Sequence, residues 1–318
     1  MSRNFGRAVR VTLTLLGGLG AATLALPSPT PAAQTAAPAK AFDTPQQAAD
    51  AAVKAAAEND VPALEALFGA DGKFIVPSGD PVQDKNDLAR FVEKAHQKME
   101  ITFDEGDPKR AVLVVGEDEW PMPVPIVEKG GKWRFDAKQG KEEILARRIG
   151  GNELDAIALL RGYVEAQEDY AAGLHDGATM HQYAQKAIST PGKQDGLSWK
   201  NEDSSWGGPI GDEVAKALAA GYTSRLEPYN GYYFRTLTAQ GPDAPLGARD
   251  YVVKGMMIGG FAAIAWPVNY GVTGVQTFQV NNDGDVYQKD LGPETGKIAP
   301  TIKRYNPDKT WLVTEDEP

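Results

Sequence analysis

Between Pro228 and Leu291 the chain carries three or four strand-like runs: PYNGYYFRTLTAQG, DYVVKGMMIGGFAAIAWPVNYGVTGVQTFQV and NNDGDVYQKDL. Each is rich in aromatic and β-branched residues, and each is broken by Gly, Pro or Asn-Asp-Gly, which is the pattern of an antiparallel meander. The rest of the chain must pack on this sheet or deliver it to its place. The NNDGD run, Asn281 to Asp285, has the oxygen-rich look of a calcium loop. No ligand Glu follows at the required distance, however, and Val286, Tyr287 and Lys289 resume strand alternation, so a hairpin turn at Asp283-Gly284 is expected.

The N-terminus reads as an export signal. Arg3, Arg7 and Arg10 precede an apolar run from Val11 to Leu26, and a small-residue, Pro-rich stretch follows. A secretory signal peptide is therefore expected over residues 1–33, with cleavage near Ala33 or Ala36 and a tether over 34–41. The apolar run is shorter than the roughly 20 residues of a membrane span, so no stable membrane insertion is expected after cleavage. A periplasmic or extracellular location follows. The chain has no cysteine, which rules out disulfides and a lipid-modified Cys, and leaves packing as the source of stability. Removing three arginines and no acid takes the formal net charge from −10 to −13. Such a surface repels polyphosphate, so nucleic acid is not an expected partner, whereas envelope proteins or cell-wall material are.

Three helices and a curved sheet are expected over residues 42–140. Thr44, Pro45 and Gln47 give the first helix its start signature. A short helix after Asn59-Asp60 follows, then a third over about Asn86 to Lys98. Strands are expected at Lys109–Val115, Met122–Val127 and Lys132–Asp136, with the WPMPVP run confined to a sheet edge because proline donates no ladder bond. The pattern resembles cystatin-like and nuclear-transport-factor-like cones. A second domain over 141–318 should open with a long helix from Lys141 to Ala172, weakened at Gly150-Gly151. Its apolar stripe is expected at Leu154, Ile157, Ala158, Arg161, Val164 and Tyr170. A loop-rich insertion, 173–211, and a short helix, Asp212 to Ala220, separate the long helix from the sheet. The fold class is α+β.

Four strings, STPGKQDGLSW, PYNGYYFRTLTAQG, MIGGFAAIAWPVNYGVTGVQTF and VYQKDLGPET, resemble the bacterial secreted family catalogued as domain of unknown function 2950, and the likeness runs from Phe42 to the end. The resemblance implies an exported envelope protein and carries no activity with it. A weaker likeness covers Asn152 to Tyr287. The order NELDAIALLRGYVEAQEDYA, GYYFR, FAAIAWPVNYGVTGVQTFQVNNDGDVY is similar to the globular part of type IV pilins and pseudopilins, which implies a long helix on a four-stranded antiparallel sheet. Where a pilin has its apolar assembly helix, this chain has KEEILARRIGG and a further domain, which puts polymerisation in doubt.

Candidate chemistry is sparse. His175, His181 and Asp176 lack the spacing and third ligand of a metal site, and no motif requires a cofactor. The PGKQDG loop lacks phosphate-loop spacing, but it places Lys193, Gln194 and Asp195 beside Trp199 and Trp206, the polar-plus-aromatic mix of sugar and peptide sites. On the strand Tyr232–Arg235, Tyr233 and Arg235 share one face, and that face is either a contact patch or a stacked, solvated pair. These seven residues, Lys193, Gln194, Asp195, Trp199, Trp206, Tyr233 and Arg235, form the candidate binding set. No catalytic motif is present, so a non-enzymatic binding or assembly module is the leading expectation. The alternative is an envelope hydrolase acting on cell-wall glycan or peptide near Gln194, Asp195 and Arg235, marked by a pocket holding a carboxylate of raised pKa.

Overall fold

The computed structural model describes residues 38–220, 222 and 228–315; the expected signal peptide and the first part of the tether lie outside them. The protein is α+β, and its named strands all pair antiparallel. Four helices come first: α1 (Pro45–Ala57), α2 (Val61–Phe68), the single turn α3 (Gly72–Ile75) and α4 (Pro81–Gln97). The start signature of α1 works as expected. Thr44 Oγ1 accepts from Gln47 N at 3.2 Å while Gln47 Oε1 accepts from Asp43 N at 3.0 Å, each satisfying an amide the helix cannot. The helix α4 starts at Pro81, earlier than expected, because Asp80 caps it by accepting from Val82 N and Gln83 N.

The first sheet runs β1 (Met99–Asp104), β2 (Asp107–Val115), β4 (Ile126–Lys129), β5 (Lys132–Phe135), with the two-residue β3 (Trp120–Pro121) on the edge of β2. Two corrections arise here. The strand β1, visible as the alternation Met99, Ile101, Phe103, was not anticipated, and the strand expected from Met122 begins only at Ile126. Pro121, Pro123 and Pro125 remove the donors that an earlier start would need. Leu64, Leu67, Phe68, Leu113, Ile126 and Phe135 close the core between helices and sheet.

The long helix α5 (Ala137–Ala171) passes unbroken through Gly150-Gly151, contrary to the expected weak point. Its buried stripe agrees with expectation only in part. Tyr170 is buried and Ile157 and Val164 pack against the core, but Leu154 is 51% exposed and Ala158 is exposed, and Asn152, Ala156, Leu160 and Gln167 face inward as well. Two of these are polar, and each is fully engaged. Gln167 donates to Ala184 O and accepts from Ala184 N, both at 2.8 Å, so its burial costs little.

A loop-rich stretch holds the ladder β6 (Trp199–Lys200) with β7 (Trp206–Gly207), then α6 (Gly211–Ala219). The strand β8 (Tyr232–Leu237) enters the second sheet. The chain then makes an excursion of two small ladders, β9 (Ala239–Gln240) with β10 (Arg249–Asp250) and β11 (Val252–Val253) with β12 (Met256–Met257). The turn between β11 and β12 uses Lys254 at φ 51° and Gly255 at φ 83°, the positive-φ pair that a two-residue hairpin needs. It divides what reads in sequence as one run. Then β13 (Ala262–Pro267), β14 (Gln276–Asn281), β15 (Tyr287–Asp290) and β16 (Leu312–Val313) complete the order β16-β15-β14-β13-β8, and the turn after β14 is centred on Asn282-Asp283, one residue before the expected Asp283-Gly284, with Gly284 N donating to Asn281 O. Every residue of β13 is buried. Ala263 and Ala265 pack under α5 with Tyr232, Phe278 and Val280, and Ala262, Ile264 and Trp266 pack on the other face with Tyr251, Phe261 and Tyr305. Covering on both faces is why FAAIAWP lacks polar alternation.

Candidate functional site

The PGKQDG loop folds on its own polar groups. The Asp195 carboxylate accepts from Thr190 N (2.7 Å), Thr190 Oγ1 (2.8 Å) and Lys186 Nζ (2.8 Å). Partial burial pushes its pKa up, but the Lys186 ammonium and the two Thr190 donors outweigh that and hold it at about 2. Gln194 donates its N–H to the Asp176 carboxylate (3.0 Å), and its carbonyl accepts from Tyr170 OH (2.6 Å). Lys193 is exposed. His175 stacks on Tyr170 at 3.9 Å and tilts against Trp199 at 5.5 Å, while His181 lies 2.6 Å from the Ala171 carbonyl at the end of α5. Trp206 sits across from Lys200 in the β6–β7 register. Among the described residues, no group of His, Cys, Asp or Glu is placed to hold a metal ion.

Tyr233 and Arg235 lie on the face of β8 that the C-terminal tail covers. Tyr233 packs on Trp266 with ring centroids 5.6 Å apart, and the Arg235 guanidinium sits 5.2 Å over the same ring. That guanidinium donates to the carbonyls of Pro300, Ala299 and Ile302, which ties down the tail after α7 (Thr295–Ile298). Burial lowers the Arg235 pKa. Among the described residues, no hydrogen bond or ring contact joins this pair to the PGKQDG loop. The structure thus gathers Gln194, Asp195 and Trp199 into one cluster and Tyr233 and Arg235 into another.

A cavity of about 560 Å3 opens elsewhere, between α4, α5 and the edge strand β3. Its size is that of a small-molecule site. Leu64, Phe68, Ile75, Phe91, Met122 and Ile144 supply an apolar floor. The rim is charged and closely balanced: Asp84, Asp87 and Asp155 against Arg90, Lys94, Arg147 and Arg148. Several of these are already used. Lys94 pairs with Asp118 at 2.6 Å, Arg147 pairs with Glu143 at 2.7 Å, Asp155 accepts from Asn230 Nδ2, and both oxygens of Asp84 accept from Ser78 N.

Two polar atoms in the lining are buried without a hydrogen-bond partner, Arg148 Nη1 and Gln83 Oε1. Arg148 spends Nη2 on the Ile75 carbonyl at 2.5 Å, and burial lowers its pKa against the opposing pull of Asp84 and Asp87. The orientation of Gln83 is fixed by its neighbours. Asn152 Nδ2 donates to the Thr273 carbonyl (2.9 Å), so Asn152 Oδ1 must be the acceptor that Gln83 Nε2 reaches at 2.7 Å, and Gln83 Oε1 is left over. Arg148 and Asn152 are one helical turn apart on α5, Gln83 reaches that helix through Asn152, and all three residues line the cavity. Asp87, half exposed at the rim, has its pKa raised by desolvation, with Asp84 and Asp80 adding to it and Arg90 and Arg148 opposing.

Neither Gln83 nor Arg148 belongs to the candidate set drawn from the sequence. The available signal was indirect: Arg148 and Asn152 at i and i+4 are polar residues on the inward face of a helix that runs through a core.

A family model described as Protein of unknown function (DUF2950) matches residues 39–314. No curated protein and no solved structure matches the chain.

Proposed function

The chain belongs to the DUF2950 family of proteins of unknown function, and from that premise we propose that it is an exported envelope protein that binds a small ligand, without catalysis, in the cavity between α4 and α5. The observation that carries the binding role is the orphaned donor and acceptor set beside an apolar floor. A buried polar atom left unpaired costs about 1–3 kcal/mol, which a bound group would recover. Export rests on the basic, apolar and small-residue succession before residue 34. In a bacterial host, the full chain should reach the periplasm or medium with a mass fitting cleavage near Ala33 or Ala36. An uncleaved cytoplasmic product would sink the export reading.

Binding is tested by thermal-shift screening of the purified chain against envelope-derived peptides and sugars, with Gly151→Leu as control. Gly151 lines the cavity and has open space where a side chain would go, so leucine should fill the site without breaking the helix. A ligand should raise the Tm of the natural chain and leave the variant unmoved.

A second reading, hydrolysis of cell-wall glycan or peptide, is favoured by Asp87, whose raised pKa keeps a proton available nearer to neutral pH at the cavity rim. It requires that the purified chain release fragments from isolated envelope and that Asp87→Asn abolish the release.

A further inference from the structure

The cavity wall also says what kind of group it would hold. Gln83 Oε1 can only accept, because its amide nitrogen is committed through Asn152 to a backbone carbonyl, and Arg148 Nη1 can only donate. A carboxylate would satisfy the arginine but would face Gln83 Oε1 with a second oxygen. The guanidinium charge is, besides, already opposed by Asp84 and Asp87. An ammonium would suit Gln83 and be repelled by Arg148. A neutral group with an acceptor at one end and a donor at the other meets both, and an amide is such a group. The floor of Leu64, Phe68, Ile75 and Phe91 then asks for an apolar body behind it.

We infer that this cavity takes an amide carried on an apolar body, with its carbonyl oxygen accepting from Arg148 Nη1 and its N–H donating to Gln83 Oε1. The inference rests on the cavity being a binding site at all, as proposed above. The same chemistry can come from a peptide or from an acetamido sugar.

Four probes with one apolar chain separate the possibilities by isothermal titration of the full chain: octanamide, octanoate, octylammonium and 1-octanol. Octanamide should bind at least tenfold more tightly than the others. Binding of none of the four overturns the cavity as a ligand site, and the proposed function falls with it. Binding of octanoate, octylammonium or 1-octanol as tight as that of octanamide overturns only the amide class. Arg148→Met keeps an unbranched side chain of similar reach but carries no donor, so octanamide affinity should drop about tenfold, the equivalent of one hydrogen bond. An unchanged affinity in that variant overturns the inference, and should the variant fail to fold, the four-probe comparison on the natural chain decides. N-acetyl-leucinamide against octyl N-acetylglucosaminide then assigns the amide: tighter binding of the first supports a peptide, of the second an acetamido sugar, and binding of neither overturns both sources.

Discussion

Asp195 is the residue on which the PGKQDG loop closes, since its carboxylate gathers three donors from Lys186 and Thr190. Asp195→Ala should therefore lower stability by about 1–2 kcal/mol, because the Thr190 amide loses its partner within a folded turn. Chemical denaturation measures this, and a change within error would mean the loop is held by other bonds. The pH dependence has a definite sign. The folded pKa, about 2, lies below the ordinary 3.8, so the contribution is complete above 3.8 and fades as pH falls toward 2. The Tm curves of the natural chain and Asp195→Asn should converge across that window and stay parallel above pH 5. In sequence this loop reads as a polar site, because Lys193, Gln194 and Asp195 are visible and the groups that occupy them are not. Asp176 and Tyr170 become neighbours only once α5 has ended and the chain has turned back. The cavity wall is hidden for the same reason: Gln83 and Arg148 belong to different helices, and nothing local marks either as unpaired.

At the scale of elements, α5 shows what periodicity carries and what it misses. Helix type and extent are legible from the 3.6-residue recurrence of apolar groups. The inward face is not, because Asn152 and Gln167 lie on it and count as polar in any pattern. Their acceptability comes from partners on other elements, Thr273 and Ala184, that no window along α5 contains. The Gly150-Gly151 pair misleads in the opposite direction. Glycine lowers helix propensity by about 1 kcal/mol relative to alanine, but packing of both ends of α5 holds the turn helical. Neither position has an atom within 4 Å of an added Cβ. Gly150→Ala and Gly151→Ala should each stabilise the protein by about 0.5–1 kcal/mol, raising Tm. A loss of stability in either would show that the helix needs to flex there. Gly231 is the contrasting case. It sits at φ 74°, and an added Cβ would come within 2.4 Å of Asn152 Nδ2, so Gly231→Ala should destabilise by more than 1 kcal/mol and disturb Gln83 through Asn152.

For the molecule as a whole, the consequential residues are those that tie the helical first half to the second sheet, and they cluster at the start of α4. Asp80 is buried; besides capping α4 it accepts through Oδ2 from Tyr222 OH and Gly231 N, both at 3.1 Å. Asn269 Nδ2 donates to the Ser78 carbonyl at 2.6 Å, and Gln83 reaches Thr273 by way of Asn152. Glu153, next along α5, accepts from Val275 N and Gln276 N at the start of β14. Since α5 contributes to the core beneath the first sheet through Ile144 and to the core on the second sheet through Ala156 and Leu160, the two halves share one rigid helix and one set of buried polar links. Independent unfolding would leave these groups unpaired in whichever half remained, at a cost of about 1–3 kcal/mol for each buried one. Equilibrium unfolding should accordingly be one transition. Asp80→Ala removes the cap of α4 and the acceptor of the Gly231 amide and leaves the Tyr222 hydroxyl only its longer contacts with Asn230, so it should cost about 3–5 kcal/mol. Hydrogen exchange read peptide by peptide distinguishes the cases. Protection should fall in β13 and β14 as well as in α1 and α4, whereas a loss confined to α4 and its neighbours would mean that the second sheet is stable without the links at Asp80, and that residues 141–318 can stand alone.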